Sequence, residues 1–371
     1  MSKLLTKYLD LIEPVYGVQN YECIIWHDGD IIYSYKSQKL DELKKDMYFG
    51  YSVSKPITCV GALKLVEDGK IHLDDKLSDY LPEFKKMYVR KDGEIKKVEN
   101  EILIQDLFSM TAGFDYNVSS RSIKNEIEKN PNASTRDIVR AISYEPLNFE
   151  PGTKFSYSLC HDVLAAVVEE VSGMTFGEYQ KKNIFLPLEM YDSAYGFPGI
   201  KDARMVPQMN YTYENGLSDM RLENMYFLTP DFESGGAGIV TTASDYMKFA
   251  STMANNGICE NGYNLLKPET INEMKKNRLT PDMIDDGYRR KYISGYGYGL
   301  GVRTMIEPKM LCSSAPVGEF GWSGAAGAYT LFDTCNRLAI VYFQHVYSMV
   351  RIAEEVHPMI REIAYKMIKN N

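Results

Sequence analysis

The order of hydrophobic and polar residues along the chain lays out its elements. Leu4, Leu5, Tyr8, Leu9 and Ile12 recur at helical spacing, so an amphipathic helix is expected first. "YECIIWHDGDIIYSYK", residues 21–36, is two β-rich runs around Asp28-Gly29, a strong hairpin signal. A helix is expected from Ser52 or Ser54 to about Asp68, with Ile57, Val60, Leu63 and Leu65 as its apolar stripe and "DGK" as its stop. "LDDKLSDYLPEF" reads as compact and turn-like. A second hairpin is expected about Asp92-Gly93, then a helix ending in "SMTAGF". "STRDIVRAI" opens on a serine cap, "CHDVLAAVVEEVSGM" has a helical period that stops at Gly173, and "FGEYQKKNIFLPL" is the next helix. Residues 198–234 read as a long irregular loop, aromatic and turn-rich, of the kind that often forms a binding wall. "TTASDYMKFASTMANNG" is a helix capped near Thr242. From Tyr296 the strands return in "YGYGLGVRTM", "GEFGWSGAAGAYTLFDT" and "RLAIVYFQHV", and "MVRIAEEVHPMIREIAYKMIKN" closes as a helix.

Strands at both ends around a helical middle imply an α/β (α+β) fold. The expected organisation is a discontinuous mixed domain, residues 1–80 and 235–371, holding an antiparallel sheet flanked by helices, with residues 81–234 inserted as a mostly helical domain.

Composition narrows the function classes. The 371 residues, 44% hydrophobic and 25% charged, are those of a globular protein of one large or two ordinary domains. A net charge of -8 argues against nucleic acid as a partner, and the basic run "KKMYVRKDGEIKK" then reads as a solvated hairpin. No stretch has the length of a membrane span, so no membrane partner is expected. "MSKLLTKYLDLIEPVYG" lacks the apolar core of a signal peptide, and the six cysteines (23, 59, 160, 259, 312, 335) contain no CxxC pair. Cys23, Cys59 and Cys335 lie in apolar surroundings and read as small core residues. A cytoplasmic protein is expected, with no metal and no cofactor. Oligomeric state is not legible.

The candidate chemistry lies in "GYSVSKPIT". Ser52 and Lys55 are one helical turn apart and share a face, while Ser54 is turned away, so Ser52 is the candidate nucleophile. Its N–H would be among the unpaired donors of the first turn, where a developing oxyanion is favoured. The same positive end, with partial burial, would push Lys55 toward the neutral amine that can take a serine proton. Alone, a Ser-x-x-Lys match reads more readily as a polar helix cap.

Two distant segments change that balance: "PGTKFSYSLCHDVLAAVVEEVSG", which brings Tyr157 to a turn before a helix, and "GEFGWSGAAGAYTLFD", with Trp322-Ser323-Gly324 on a strand. In this order the motifs resemble the serine β-lactamase and penicillin-binding-protein superfamily, in particular its class C branch and the esterase relatives of that branch. "LDDKLSDYLPEF", "ILIQDLFSMTAGF", "IFLPLEMYDS", "GGAGIVTTASDYMKF" and "YGYGLGV" match in the same order, so the resemblance runs from about Tyr21 to past His345. It implies the β-lactamase/transpeptidase-like fold, with the active site at the junction of the two domains. It also implies Ser52 as nucleophile, Lys55 as proton acceptor, and Tyr157 as the tyrosine that shares the proton and relays it to the leaving group. The oxyanion hole would be the N–H groups of Ser52 and Ala325, worth on the order of 3 kcal/mol per donor. Leu159, Trp322, Ser323 and Gly324 would line the substrate, glycine being required so that substrate can lie along the strand edge.

Two positions depart from the family pattern. Leu159 stands where an asparagine usually supports the lysine and contacts an acylamino side chain, so Lys55 should be less constrained and amide recognition poorer. Trp322 stands where a lysine or histidine usually faces a substrate carboxylate, and offers only an indole N–H and an apolar face. With no export signal, the balance favours a carboxylesterase on small uncharged acyl esters, with Tyr211, Tyr213, Tyr226 and Phe227 as an apolar wall or as packing. The alternatives are a β-lactamase or D-amino-acid peptidase acting on amides, and a binding or sensing module that has lost turnover. His161 reads as a first-turn helix residue, since a lysine mechanism needs no histidine.

Overall fold

The computed structural model describes residues 1–40, 46–196, 204–284 and 294–369. A seven-stranded antiparallel sheet draws its strands from both ends of the chain: β1 (Tyr21–His27), β2 (Asp30–Lys36), β3 (Tyr296–Tyr298), β4 (Arg303–Met305), β5 (Phe320–Ser323), β6 (Tyr329–Asp333) and β7 (Leu338–Gln344), in the order β3-β4-β5-β6-β7-β1-β2. The β1–β2 turn uses Asp28 and Gly29, both at positive φ (51° and 107°), as a two-residue hairpin turn demands. β7 pairs β1 from Tyr21↔Gln344 to His27↔Leu338, so segments from opposite ends of the chain meet inside the sheet.

Alternation along β1 and β7 divides the core. Ile24, Trp26, Ala339, Val341 and Phe343 join the larger apolar cluster, which the helix Ala243–Ala254 covers. Cys23, Ile25, Leu338, Ile340 and Tyr342 point the other way, onto a cluster with Leu5, Leu9 and Ile12 of the N-terminal helices and Ile360, Ile363 and Ala364 of the C-terminal helix His357–Lys369. The first helix is thus amphipathic as its spacing requires, although Leu4 remains exposed.

The helix Ser54–Glu67 differs from its expected single stripe. It is buried without a break from Ser54 to Leu63, because it runs against the helix Cys160–Ser172 and also touches β5. Between Lys76 and Ile142 come short elements: a helical turn Leu77–Tyr80, the hairpin Tyr88–Lys91/Glu94–Lys97 about Asp92-Gly93, and the helices Ile104–Ser109, Arg121–Lys129 and Thr135–Ile142. Ser134 caps the last of these by accepting from Asp137 N, and Gly173, in the left-handed conformation, ends Cys160–Ser172.

Two small sheets were not expected. Met47–Phe49, Ile239–Thr242 and Ala194–Tyr195 form one, which carries the turn leading into Ser52. Met209–Thr212 and Gly216–Asp219 form a hairpin about Asn215-Gly216, joined in parallel by Val346–Tyr347. Part of the stretch read as an irregular loop is therefore sheet; residues 198–203 of it lie outside the described residues. Cys335 is a second difference: it is exposed, in the turn after β6 where Asp333 Oδ1 accepts from its N–H at 2.8 Å. Cys160 is fully buried instead. Among the described residues no helix is long and apolar enough to cross a membrane.

Candidate active site

Ser52 lies in a 3-10 turn, Tyr51–Val53, that runs straight into the helix Ser54–Glu67. Tyr51 has φ 48°, a left-handed conformation that a bulky residue adopts only when its surroundings hold it. Here the holding groups are visible. Ser54 Oγ donates to Tyr51 O at 2.6 Å and accepts from Ile239 N at 3.0 Å, and Tyr51 OH donates to Gln208 Oε1 at 3.1 Å. Ser54 is thus a buckle between the turn and the small sheet, which leaves Ser52 as the serine facing Lys55.

Lys55 is completely buried, and its Nζ donates at 2.8 Å to Gly236 O, at 3.3 Å to Tyr116 OH and at 3.4 Å to Ser52 Oγ. It also lies 4.4 Å from the Tyr157 ring centroid and 5.2 Å from that of Tyr116. A carbonyl can only accept, so Gly236 fixes one N–H and a neutral Lys55 can turn its lone pair to Ser52. A side chain at residue 236 would meet Asp162 Oδ2 at 2.8 Å, so glycine is what allows this carbonyl to approach. Lys55 is therefore held, contrary to the looseness expected from Leu159.

Tyr157 comes from the turn before Cys160–Ser172, and Trp322 from β5. Their rings stack at 5.6 Å, 25° apart, and Trp322 Nε1 donates to Tyr157 OH at 3.2 Å. Tyr298 meets Trp322 edge-on at 5.1 Å, and Tyr116 lies 5.1 Å from Tyr157. Leu159 is buried: its N–H donates to Asp115 O at 3.1 Å, and its side chain lines a cavity of about 100 Å³ with Phe114, Ile123 and Ile142. Ser323, the last residue of β5, is half-buried, and Ala325 beyond it is exposed. Among the described residues no backbone carbonyl receives the N–H of Ser52 or of Ala325. A Cβ on Gly324 would lie 2.4 Å from Gly50 O, so the glycine is needed because the strand end packs on the turn carrying Ser52.

Burial dominates the electrostatics. It pulls the Lys55 ammonium down to about 7, opposed chiefly by the charge of Asp162. It pushes the Tyr157 phenol well above its ordinary value, opposed by hydrogen bonds to Ser52 and Trp322, and raises Tyr116 likewise. The second residue of Cys160–Ser172 is His161, drawn down to about 3 by burial and by Lys55. Its Nε2 lies 3.2 Å from Phe108 O and 3.4 Å from Cys59 Sγ.

The family model for β-lactamases matches residues 16–360. The chain belongs to the β-lactamase family. It is 27% identical over 310 residues to Protein Rv1367c of Mycobacterium tuberculosis, covering 79% of this chain and 76% of that one. It is 30% identical over 264 residues to the lovastatin esterase of Penicillium rubens, covering 66% and 62%. Among solved structures, EstCE1, a hydrolase with promiscuous acyltransferase activity, superposes with a TM-score of 0.79 at 22% identity, covering 98% of each chain, which bears on the fold. The chain is a β-lactamase-family serine hydrolase with esterase homologues.

Of the residues singled out from the family motifs, Ser52, Lys55, Tyr157 and Trp322 form one cluster. The aromatic candidates divide. Tyr226 packs tilted against Tyr116 (5.5 Å) and edge-on to Tyr51 (6.4 Å), beside the cluster. Phe227 packs on Phe49, Tyr211 joins the cluster beneath the sheet, and Tyr213 is 91% exposed. Sequence reasoning missed Tyr116, Gly236 and Asp162. Tyr116 follows "SMTAGF" in a loop with no periodicity to mark it. Asp162, in the first turn of a helix, is where an acid is ordinarily a dipole partner.

Proposed function

We propose that this hydrolase is a carboxylesterase that acts on small, uncharged acyl esters through an acyl-enzyme on Ser52. The observation that carries the reading is the buried Lys55 amine, down near neutrality, with one hydrogen fixed on Gly236 O and Ser52 Oγ 3.4 Å away. As Ser52 Oγ attacks the ester carbonyl, its proton passes to Lys55 Nζ, and the N–H groups of Ser52 and Ala325 receive the oxyanion. Collapse breaks the acyl carbon–oxygen bond, and the proton reaches the departing alkoxide through the Tyr157 hydroxyl. Water then attacks the acyl carbon, giving a proton back through the same pair, and releases the acid and Ser52. The raised Tyr157 phenol stays protonated near neutrality, which suits a relay and leaves Lys55 as the base.

The preference for uncharged esters follows from Trp322. Its one donor is engaged by Tyr157 OH, and no cation stands at that position for a substrate carboxylate. Tyr116 and Tyr226 add apolar surface, and the lovastatin esterase relative is in keeping with ester chemistry. In this reading residues 1–80 and 235–371 form the frame carrying Ser52, Lys55 and Ala325. Residues 81–234 form the unit carrying Tyr116 and Tyr157, and catalysis takes place where the two meet.

A fluorophosphonate probe tests the nucleophile and a substrate panel the class. Wild type and Ser54→Ala should be labelled, the latter more slowly because Ser54 loses two buried hydrogen bonds, and Ser52→Ala should not. Labelling of Ser52→Ala at the wild-type rate would overturn the assignment. Short-chain p-nitrophenyl esters should be turned over well ahead of a chromogenic cephalosporin; the reverse order would make the enzyme a β-lactamase.

A further inference from the structure

Asp162 is a buried carboxylate for which the ester mechanism above has no use. It projects from the first turn of Cys160–Ser172 into the protein. Its Oδ1 accepts from Ser234 Oγ at 2.6 Å and from Gly236 N at 3.3 Å. The residue it holds, Gly236, is the one whose carbonyl receives Lys55 Nζ at 2.8 Å. Gly236 therefore links the acid to the amine, donating to one and accepting from the other. A Cβ built on Gly236 would fall between them, 2.8 Å from Asp162 Oδ2 and 3.4 Å from Lys55 Nζ. Carboxylate and amine thus flank one glycine, too far apart for a direct ion pair and close enough to feel each other's charge.

We propose that Asp162 is a positioning residue for Lys55, holding the Gly236 carbonyl in place through its hydrogen bonds and opposing loss of the ammonium proton through its charge. The inference rests on the assignment of Ser52 as nucleophile and Lys55 as its base. The other groups packed around Lys55 do not compete for the second role. Tyr116 and Tyr157, from the helical side, are both raised by burial and stay neutral. Cys59, on the same helix as Lys55, is raised well above the ordinary thiol value, and Cys160 is pushed up to about 12. His161, at about 3, is uncharged. Asp162 is the one carboxylate among the described residues that acts on Lys55; burial raises its own carboxyl, and the hydrogen bond from Ser234, the charge of Lys55 and the N–H of Gly236 oppose that rise and favour the anion.

The sign is fixed by electrostatics. Ser52 reacts when Lys55 is neutral, so labelling rises with pH as the ammonium is lost. An anion nearby keeps the ammonium and moves that rise to higher pH; removing the anion moves it to lower pH, by on the order of 1–3 units for a charge this close. The experiment is the pH profile of the fluorophosphonate labelling rate of the full chain, with thermal melting to verify folding. Asp162→Asn keeps the shape and an acceptor while removing the charge, so its rise should lie at least one unit below that of wild type. Ser234→Ala keeps the charge but loosens Asp162, so its plateau rate should fall several-fold with the rise left in place. A folded Asp162→Asn whose rise coincides with wild type overturns the proposal. Should that variant not fold, a Ser234→Ala plateau equal to wild type overturns it instead. Wild type that takes up no probe at any pH would sink the assignment of Ser52 itself, a result distinguishable from either of these.

Discussion

At Lys55 burial outweighs the groups that oppose it, chiefly the charge of Asp162. Burial favours the neutral amine, while hydrogen-bond partners ordinarily favour the charged one; here the nearest are a carbonyl and a phenol, neither of which carries charge near neutrality. Leu159 offers the amine no amide, and the Tyr116 hydroxyl is the second fixed contact of the amine. Tyr116→Phe should keep the stacking on Tyr157 but slow probe labelling of Ser52 about tenfold, the effect of one lost hydrogen bond of about 1.4 kcal/mol at the reacting amine. An unchanged rate would show that Gly236 alone orients Lys55. The Ser52–Lys55 pair was legible because helical spacing alone brings the two side chains together. Tyr116 was not, because a loop residue 61 positions further on meets Lys55 only through tertiary packing.

The elements that carry the site are joined by a close backbone approach. The end of β5 rests on the turn before Ser52 so tightly that Gly324 faces Gly50 O where a Cβ would be. The glycine was expected from the substrate's need for room; the turn leading to the nucleophile is the nearer constraint. Gly324→Ala should therefore destabilise the protein without substrate, by about 1–3 kcal/mol as overpacking does, and also cut labelling of Ser52. Denaturant unfolding measures the first effect; a variant as stable as wild type would return the explanation to substrate clearance. Elements were legible where their determinants are local, as in the Asp28-Gly29 and Asp92-Gly93 hairpins or the Ser134 cap. Strands such as Met47–Phe49 and Ile239–Thr242 were not, since each is only a few residues long and is defined by a partner far along the chain.

Across the whole molecule, the sheet is complete only when residues 21–27 have paired with 338–344. Those amides should exchange with solvent last and together in a native-state hydrogen-exchange experiment, and the exposed hairpin Tyr88–Lys97 among the first. Exchange of Tyr21–His27 well ahead of Leu338–Gln344 would mean that the β1–β2 hairpin detaches from the sheet before the strands beyond it open. Closure of this kind was foreseeable from strands at both ends of the chain, whereas the division of its core was legible only in the alternation of β1 and β7. Tyr51 has a consequence of its own for redesign. Its ring touches Tyr226 and Tyr347 on the wall side, and its twisted backbone is bonded directly to Ser52. Substitutions that reshape this wall thus also act on the reactive serine, and their effects will combine epistatically rather than add, so that selectivity and reactivity on this face must be optimised as one trait.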